Sequence, residues 1–151
     1  MHFRHFGSES TKVSEVGLGT WQLGGNWGPV DDRAAEATLA AAVEAGVNFL
    51  DTADVYGDGR SEERIAKFLK KRKERIFVAT KLGRRGDPGW PQNFTREAMR
   101  RHTEDSLRRL GVAALDLTQL HCVPTEVLRR GEVFEHLREL KAEGKILRFG
   151  A

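Results

Sequence analysis

Residues 47–81, VNFLDTADVYGDGRSEERIAKFLKKRKERIFVATK, contain the unit from which the rest of the chain can be read. The stretch opens on one short apolar run, VNFLD, and closes on another, IFVATK. Both have the length and the β-branched and aromatic content of buried strands. Between them Ile65, Phe68 and Leu69 recur at helical spacing among charged residues, which gives a helix with one apolar face. A strand, a helix and a second strand in this order form a crossover, and crossovers of this length join parallel strands.

The same unit repeats in both directions. Apolar starts fall at 16 (in VSEVGLGT), 47, 76, 115 (LDLTQLH) and 146 (ILRFGA), spaced by 31, 29, 39 and 31 residues. The intervening stretches carry Ala35, Leu39 and Val43, then Met99, Ser106, Leu107 and Leu110, then Val133, Leu137 and Leu140, each set on one helical face. Asp32, Ser61 and Thr95 are the expected N-caps, because their side-chain oxygens can accept from orphan first-turn amides. Gly46, Gly111 and Gly144 stand where a left-handed C-cap is wanted. Upstream, FRHF and TKVSEV around the turn GSES predict a hairpin plugging one end of the sheet.

Parallel strands covered by helices allow a doubly wound open sheet or a closed barrel. A doubly wound sheet would advertise a phosphate loop. GLGTWQLGG resembles one only superficially, since no helix follows directly and no GxxG spacing appears. The expected fold is therefore α/β, a parallel β/α (TIM-type) barrel. The 151 residues form a single domain (1–151) holding about the first half of (β/α)8, because a complete barrel takes about 250.

Hydrophobic residues at 39% and charged residues at 31% describe a globular chain. The net charge of +3 comes from 25 basic and 22 acidic residues that are interleaved, which reads as a solvated surface and leaves no nucleic-acid partner to expect. The run KKRKER, Lys70 to Arg75, reads as basic residues complementing a helix C-terminus. A single cysteine, Cys122, fits a reducing, cytoplasmic setting, and beside His121 on a strand it reads as a small core residue on the opposite face. No apolar stretch has the length of a signal peptide or membrane span, so no membrane partner is expected.

Reactive groups in β/α barrels stand at the C-terminal ends of the strands. Here the second parallel strand ends in Asp51, followed by Tyr56; the third ends in Lys81, and the fourth in His121. Any one of these alone reads as a solvated or packed polar residue. Together they fall on successive, adjacent strand ends, and such a cluster suits carbonyl reduction. Hydride delivery to a carbonyl carbon leaves charge on oxygen, which a positioned acid must protonate. Tyr56 would be that acid, a neighbouring ammonium on Lys81 would strengthen it, and Asp51 would keep the ammonium charged. His121 would donate to the carbonyl oxygen. The rim offers no His/Asp pair at metal-ligand spacing, so no metal is expected.

The set GLGTWQLGGNWG, FLDTADVYGDGRSE, VATKLG, SLRRLG and LDLTQLHC resembles the aldo-keto reductase family across essentially the whole chain, from hairpin to fifth strand. The resemblance implies that Asp51, Tyr56, Lys81 and His121 are the catalytic tetrad of an oxidoreductase reducing aldehydes or ketones to alcohols. It further implies that Gly19, Thr20, Trp21 and Asp51 approach the nicotinamide of NADP(H). Trp21, Trp27, Tyr56 and His121 would contact a small-molecule carbonyl substrate, and Trp90 is a weaker candidate wall. In this family the pyrophosphate and adenosine contacts come mainly from beyond the fifth strand. That leaves an alternative, a truncated, catalytically incompetent half-barrel acting as an interaction module or relic, with self-association expected through open sheet edges.

Overall fold

A computed structural model of the chain describes residues 1–7, 11–25 and 28–151. Trp27, an expected wall of the substrate site, lies outside the described residues. The chain opens with an antiparallel hairpin of β1 (Phe3–His5) and β2 (Lys12–Ser14). It then alternates through β3 (Leu18–Gly19), α1 (Asp32–Glu44), β4 (Phe49–Asp51), α2 (Arg60–Leu69), β5 (Phe77–Leu82), α3 (Arg96–Leu110), β6 (Leu117–Leu120), α4 (Thr125–Arg130), α5 (Glu132–Ala142) and β7 (Phe149–Gly150). Strands β3 to β7 form one parallel sheet in strict sequence order. A doubly wound sheet reverses its strand order at a switch point, so this unbroken order is barrel topology carried through five strands.

Alternation along the strands sends side chains to two faces. Leu50, Val78, Leu82 and Leu120 pack with Leu39, Ile65, Phe68, Met99 and Leu137 of the helices in the main core. Complete burial of each such side chain stabilises by roughly 1.5–3 kcal/mol. On the other face Phe77, Ala79 and Leu117 pack with Val13 of the hairpin, against Phe6 and Phe49. The Phe6 ring lies 5.1 Å from that of Phe77, and Phe49 stacks on Phe77 at 5.3 Å. Phe49 and Phe77 begin β4 and β5, so the hairpin closes the N-terminal end of the sheet as expected and leaves the C-terminal end open. Among the described residues no helix is long and apolar enough to cross a membrane.

Thr95 caps α3, accepting from the Ala98 amide, and Gly111 closes that helix in the left-handed region. Two other caps differ from expectation. Asp31 rather than Asp32 caps α1, taking the Ala34 amide at 2.6 Å, while Asp32 pairs with Arg64 and Lys67. Gly59, at φ 88°, precedes α2 in place of Ser61. A Cβ at Gly59 would stand 2.5 Å from Cδ of Arg109, and Ser61 lies inside the helix with its hydroxyl buried among Thr20 and Thr52. Gly46 (φ 92°) and Gly144 (φ 74°) take the left-handed conformation expected of them, one residue beyond Ala45 and Glu143. In the run after α2, Lys71 pairs with Glu36, Arg72 with Glu44 and Glu74, and Arg75 with Asp116.

Candidate active site

Strand register brings three of the four expected residues to one rim. Asp51 ends β4 opposite Ala79, Lys81 stands two residues further along β5, and His121 follows the last residue of β6. Asp51, Ala79 and Lys81 share the face that carries Phe49 and Phe77 below, so their side chains line the open end above the aromatic plug.

Tyr56 comes from the turn between β4 and α2, and backbone packing decides where that turn lies. The 3₁₀ turn Trp21–Gly24 is tied to β4 by the Thr20 amide donating to the Asp51 carbonyl at 2.9 Å. Gly24 and Gly57 then meet backbone to backbone. A Cβ on Gly57 would fall 2.2 Å from the Gly24 oxygen, and one on Gly24 would fall 2.6 Å from the Gly57 nitrogen. Arg60 completes the clamp by donating to the Gly24 carbonyl at 2.9 Å. Only glycine permits this approach, and it sets Trp21 and Tyr56 side by side with stacked rings 6.2 Å apart.

The four residues converge. The Lys81 ammonium donates to Asp51 Oδ1 at 2.5 Å, to the Thr52 carbonyl at 2.9 Å and to the Tyr56 hydroxyl at 3.3 Å. The His121 ring meets that of Tyr56 edge-on at 6.1 Å. Burial, with the charges of Lys81 and Arg84, lowers the His121 imidazole from its ordinary 6.5 to about 4. It is therefore neutral near pH 7, with one N–H to donate. Trp21, Val55, Tyr56, Arg84 and His121 line a cavity of about 280 Å³ beside the tetrad. A larger surface cavity of about 440 Å³, between α3 and the α4–α5 pair, holds none of these residues.

The other expected contacts fall into two groups. Gly19 is exposed at the end of β3 with open space where a Cβ would project, and Trp21 is 43% exposed over Tyr56. Thr20 is completely buried, its hydroxyl donating to the Asp51 carbonyl and accepting from Ser61 and its amide donating to the same Asp51 carbonyl, so its place is beneath the rim, tying β3 to β4. Trp90 donates to the Cys122 carbonyl at 3.1 Å and does not line the cavity, which makes it a pin for the loop. Cys122 is exposed at φ 54°, contrary to the core position expected, because β6 ends at Leu120 and the strand alternation stops with it.

Sequence reasoning missed two neighbours. Arg84 lines the cavity, and its signal was the position three residues past Lys81. Behind the rim lies a buried charge cluster. Arg85 stands 2.9 Å from Asp54, without the alignment of a hydrogen bond, and 2.5 Å from Asp105, with His102 3.9 Å from Asp54. Beside it the fully buried Glu62 takes hydrogen bonds from Thr80 and Arg109, both at 2.6 Å.

Residues 15–151 match the Aldo/keto reductase family, and the chain belongs to it. It is 37% identical over 153 residues to the uncharacterized oxidoreductase YqkF of Bacillus subtilis, covering 99% of this chain and 48% of that protein. The aldo-keto reductase AKR11C1 from Bacillus halodurans, solved in its holo form, superposes with a TM-score of 0.85 at 37% identity, over 99% of this chain and 49% of that one. An aldo-keto reductase from Klebsiella pneumoniae, solved in complex with NADPH, superposes with a TM-score of 0.75 at 34% identity, over 92% and 45%. The chain thus spans about half the length of these relatives.

Proposed function

We propose that the rim is the carbonyl-reducing half of an NADP(H)-dependent aldo-keto reductase site, with Tyr56 as the proton donor. The observation that carries this reading is the Lys81 ammonium, within hydrogen-bond reach of both Asp51 and the Tyr56 hydroxyl at the mouth of a cavity that also holds a neutral His121. The open Gly19 position, the exposed Trp21 ring and Asp51 suit the nicotinamide end of the cofactor. When bound, the cofactor supplies a hydride to the carbonyl carbon.

The chain's own residues do the remaining work. His121 donates its N–H to the carbonyl oxygen and orients it, and because the ring is neutral it does so without giving up a proton. As charge builds on that oxygen, Tyr56 releases its hydroxyl proton to it. Lys81 stabilises the phenolate left behind, and Asp51 balances the ammonium in a site that is only partly exposed. Tyr56 regains its proton from solvent after the alcohol leaves.

The test pairs a fluorescence titration of the chain with NADPH and an assay of NADPH consumption with a panel of aldehydes. Binding with carbonyl-dependent consumption that disappears in Tyr56→Phe supports the reading. Binding without consumption favours the alternative, a half-barrel that keeps the motifs as relics.

A further inference from the structure

The cavity beside the tetrad contains one charged group that the reductase chemistry does not use. Lys81 is neutralised by Asp51, and Arg85 is held between Asp54 and Asp105. Arg84 lines the cavity with Trp21, Val55, Tyr56 and His121, and among the described residues it forms no hydrogen bond or ion pair. Its charge nonetheless reaches the reaction centre, being one of the causes that hold His121 neutral.

Two consecutive arginines at the end of β5 have thus taken different environments. Arg85 turns inward, with its side chain only 15% exposed, and ties the Tyr56-bearing turn to α3. Arg84 turns to the cavity and stays exposed. A guanidinium is a planar fork whose natural partner is a carboxylate, held by two parallel hydrogen bonds. The rest of the lining is an indole, a valine, a phenol and a neutral imidazole, so Arg84 is the one charged side chain lining the cavity, and the neutral donors of Tyr56 and His121 are left for the carbonyl oxygen. The excess positive charge favours an anionic substrate over a neutral one of the same shape.

We propose that Arg84 selects carbonyl compounds that also carry a carboxylate, holding that group while Tyr56 and His121 take the carbonyl oxygen. The inference rests on the reductase reading of the same site. The chemical step is unchanged: the hydride forms the new C–H bond, the π electrons move to oxygen, and the Tyr56 proton completes the alcohol. The carboxylate takes no part in the electron count. It fixes which carbonyl is presented.

Two measurements on the 151-residue chain test this. In the first, NADPH consumption is compared for benzaldehyde and for 2-, 3- and 4-carboxybenzaldehyde. At least one carboxylated isomer is expected to exceed benzaldehyde in kcat/KM by about tenfold or more, mostly through KM. Arg84→Gln should abolish that advantage, so that within the variant the carboxylated aldehydes and benzaldehyde are reduced with equal kcat/KM, while NADPH affinity is unchanged and Arg84→Lys retains part of the preference. The second needs no turnover: benzoate is titrated while the His121 ring resonances are followed by NMR. Saturable shifts in the wild type that vanish in Arg84→Gln are expected. Benzoate that leaves His121 unmoved, equal efficiency on all four aldehydes, or an Arg84→Gln defect that falls on NADPH affinity each overturns the inference. Benzoate seated through Arg84 in a chain that reduces none of the aldehydes supports the anion site and overturns the reductase reading alone.

Discussion

Asp51 and Asp54 are three residues apart, each faces a cation, and they have opposite fates. The Asp51 side chain keeps 37% exposure and lies 2.5 Å from the Lys81 ammonium at the rim. Asp54 has none, and its Arg85 partner at 2.9 Å is misaligned for a hydrogen bond. Burial drives the Asp54 carboxyl up from 3.8 to about 7, against the pull of Arg85 and with a further push from Glu62. The same side chain is thus a charged partner where water reaches it and a reluctant acid where water does not. An open ion pair can serve chemistry at small cost to the fold, whereas a closed one holds elements together and reports pH.

The largest expected effects test the open pair. Lys81→Met should lower carbonyl-dependent NADPH consumption by about 10²–10⁴-fold, the range of a lost general-acid system, as should Tyr56→Phe. Because Asp51 can recover water, the denaturation midpoint of Lys81→Met should move little. Turnover near the wild-type level in either variant, measured under saturating NADPH, would remove Tyr56 from its role. A large drop in midpoint for Lys81→Met would instead make the rim pair a structural element like its neighbour.

The closed cluster should respond in the reverse manner. Arg109→Met leaves Glu62 fully buried with only Thr80 as partner, and breaking a buried pair from one side costs about 3–5 kcal/mol. Arg85→Met should cost less, because Asp54 can take up a proton near pH 7 and shed the charge that lost its partner. Urea denaturation at neutral pH ranks the two; an Arg85→Met penalty exceeding that of Arg109→Met contradicts this account of Asp54.

Much of this architecture was legible because it depends on local patterns. The parallel strands, each beginning one to three residues past its expected apolar start, the hairpin, the Thr95 and Gly111 caps and the three residues at the strand ends follow from apolar runs, periodicity and turn chemistry. What escaped depends on contacts between distant segments. Ser61 looks like a cap in sequence, and only the approach of Thr20 and Thr52 shows why its hydroxyl turns inward. Glu62, Arg85, His102 and Arg109 lie on helices or loops dense with charge, where nothing local marks Glu62 and His102 as buried or the two arginines as largely enclosed. Helix α4 is a single short insertion before α5 with no buried residue, so it leaves no apolar stripe to read. Cys122 was misplaced because strand alternation was extended past the residue where the strand stops.

The smallest expected effect is a change in how stability depends on pH, and it separates Asp54 from its surroundings. Burial, with the Arg85 charge, lowers the His102 imidazole from 6.5 to about 4, and His121 is lowered to about 4 as well. Between pH 4 and 6.5 the unfolded chain therefore binds protons on both histidines that the folded chain refuses, and this alone makes stability rise with pH. Asp54 acts with the opposite sign. Its raised carboxyl holds a proton in the folded state between pH 4 and 7 that the unfolded chain has released, so its contribution is lost as pH rises through that window. The sum is a net difference of up to one proton, worth about 1.4 kcal/mol per pH unit at most, increasing stability up to pH 6.5. His121 borders an open cavity and contributes less than its full share. Above pH 6.5 Asp54 still differs between the two states, and its contribution makes stability decline slightly toward pH 7. Asp54→Asn removes the opposing contribution while Arg85 keeps its bond to Asp105. The variant should climb more steeply than the wild type from pH 4 to 6.5 and show no decline beyond it. Denaturation midpoints of both proteins across this range decide the matter, and parallel profiles would mean that Asp54 is ionised in the folded chain throughout.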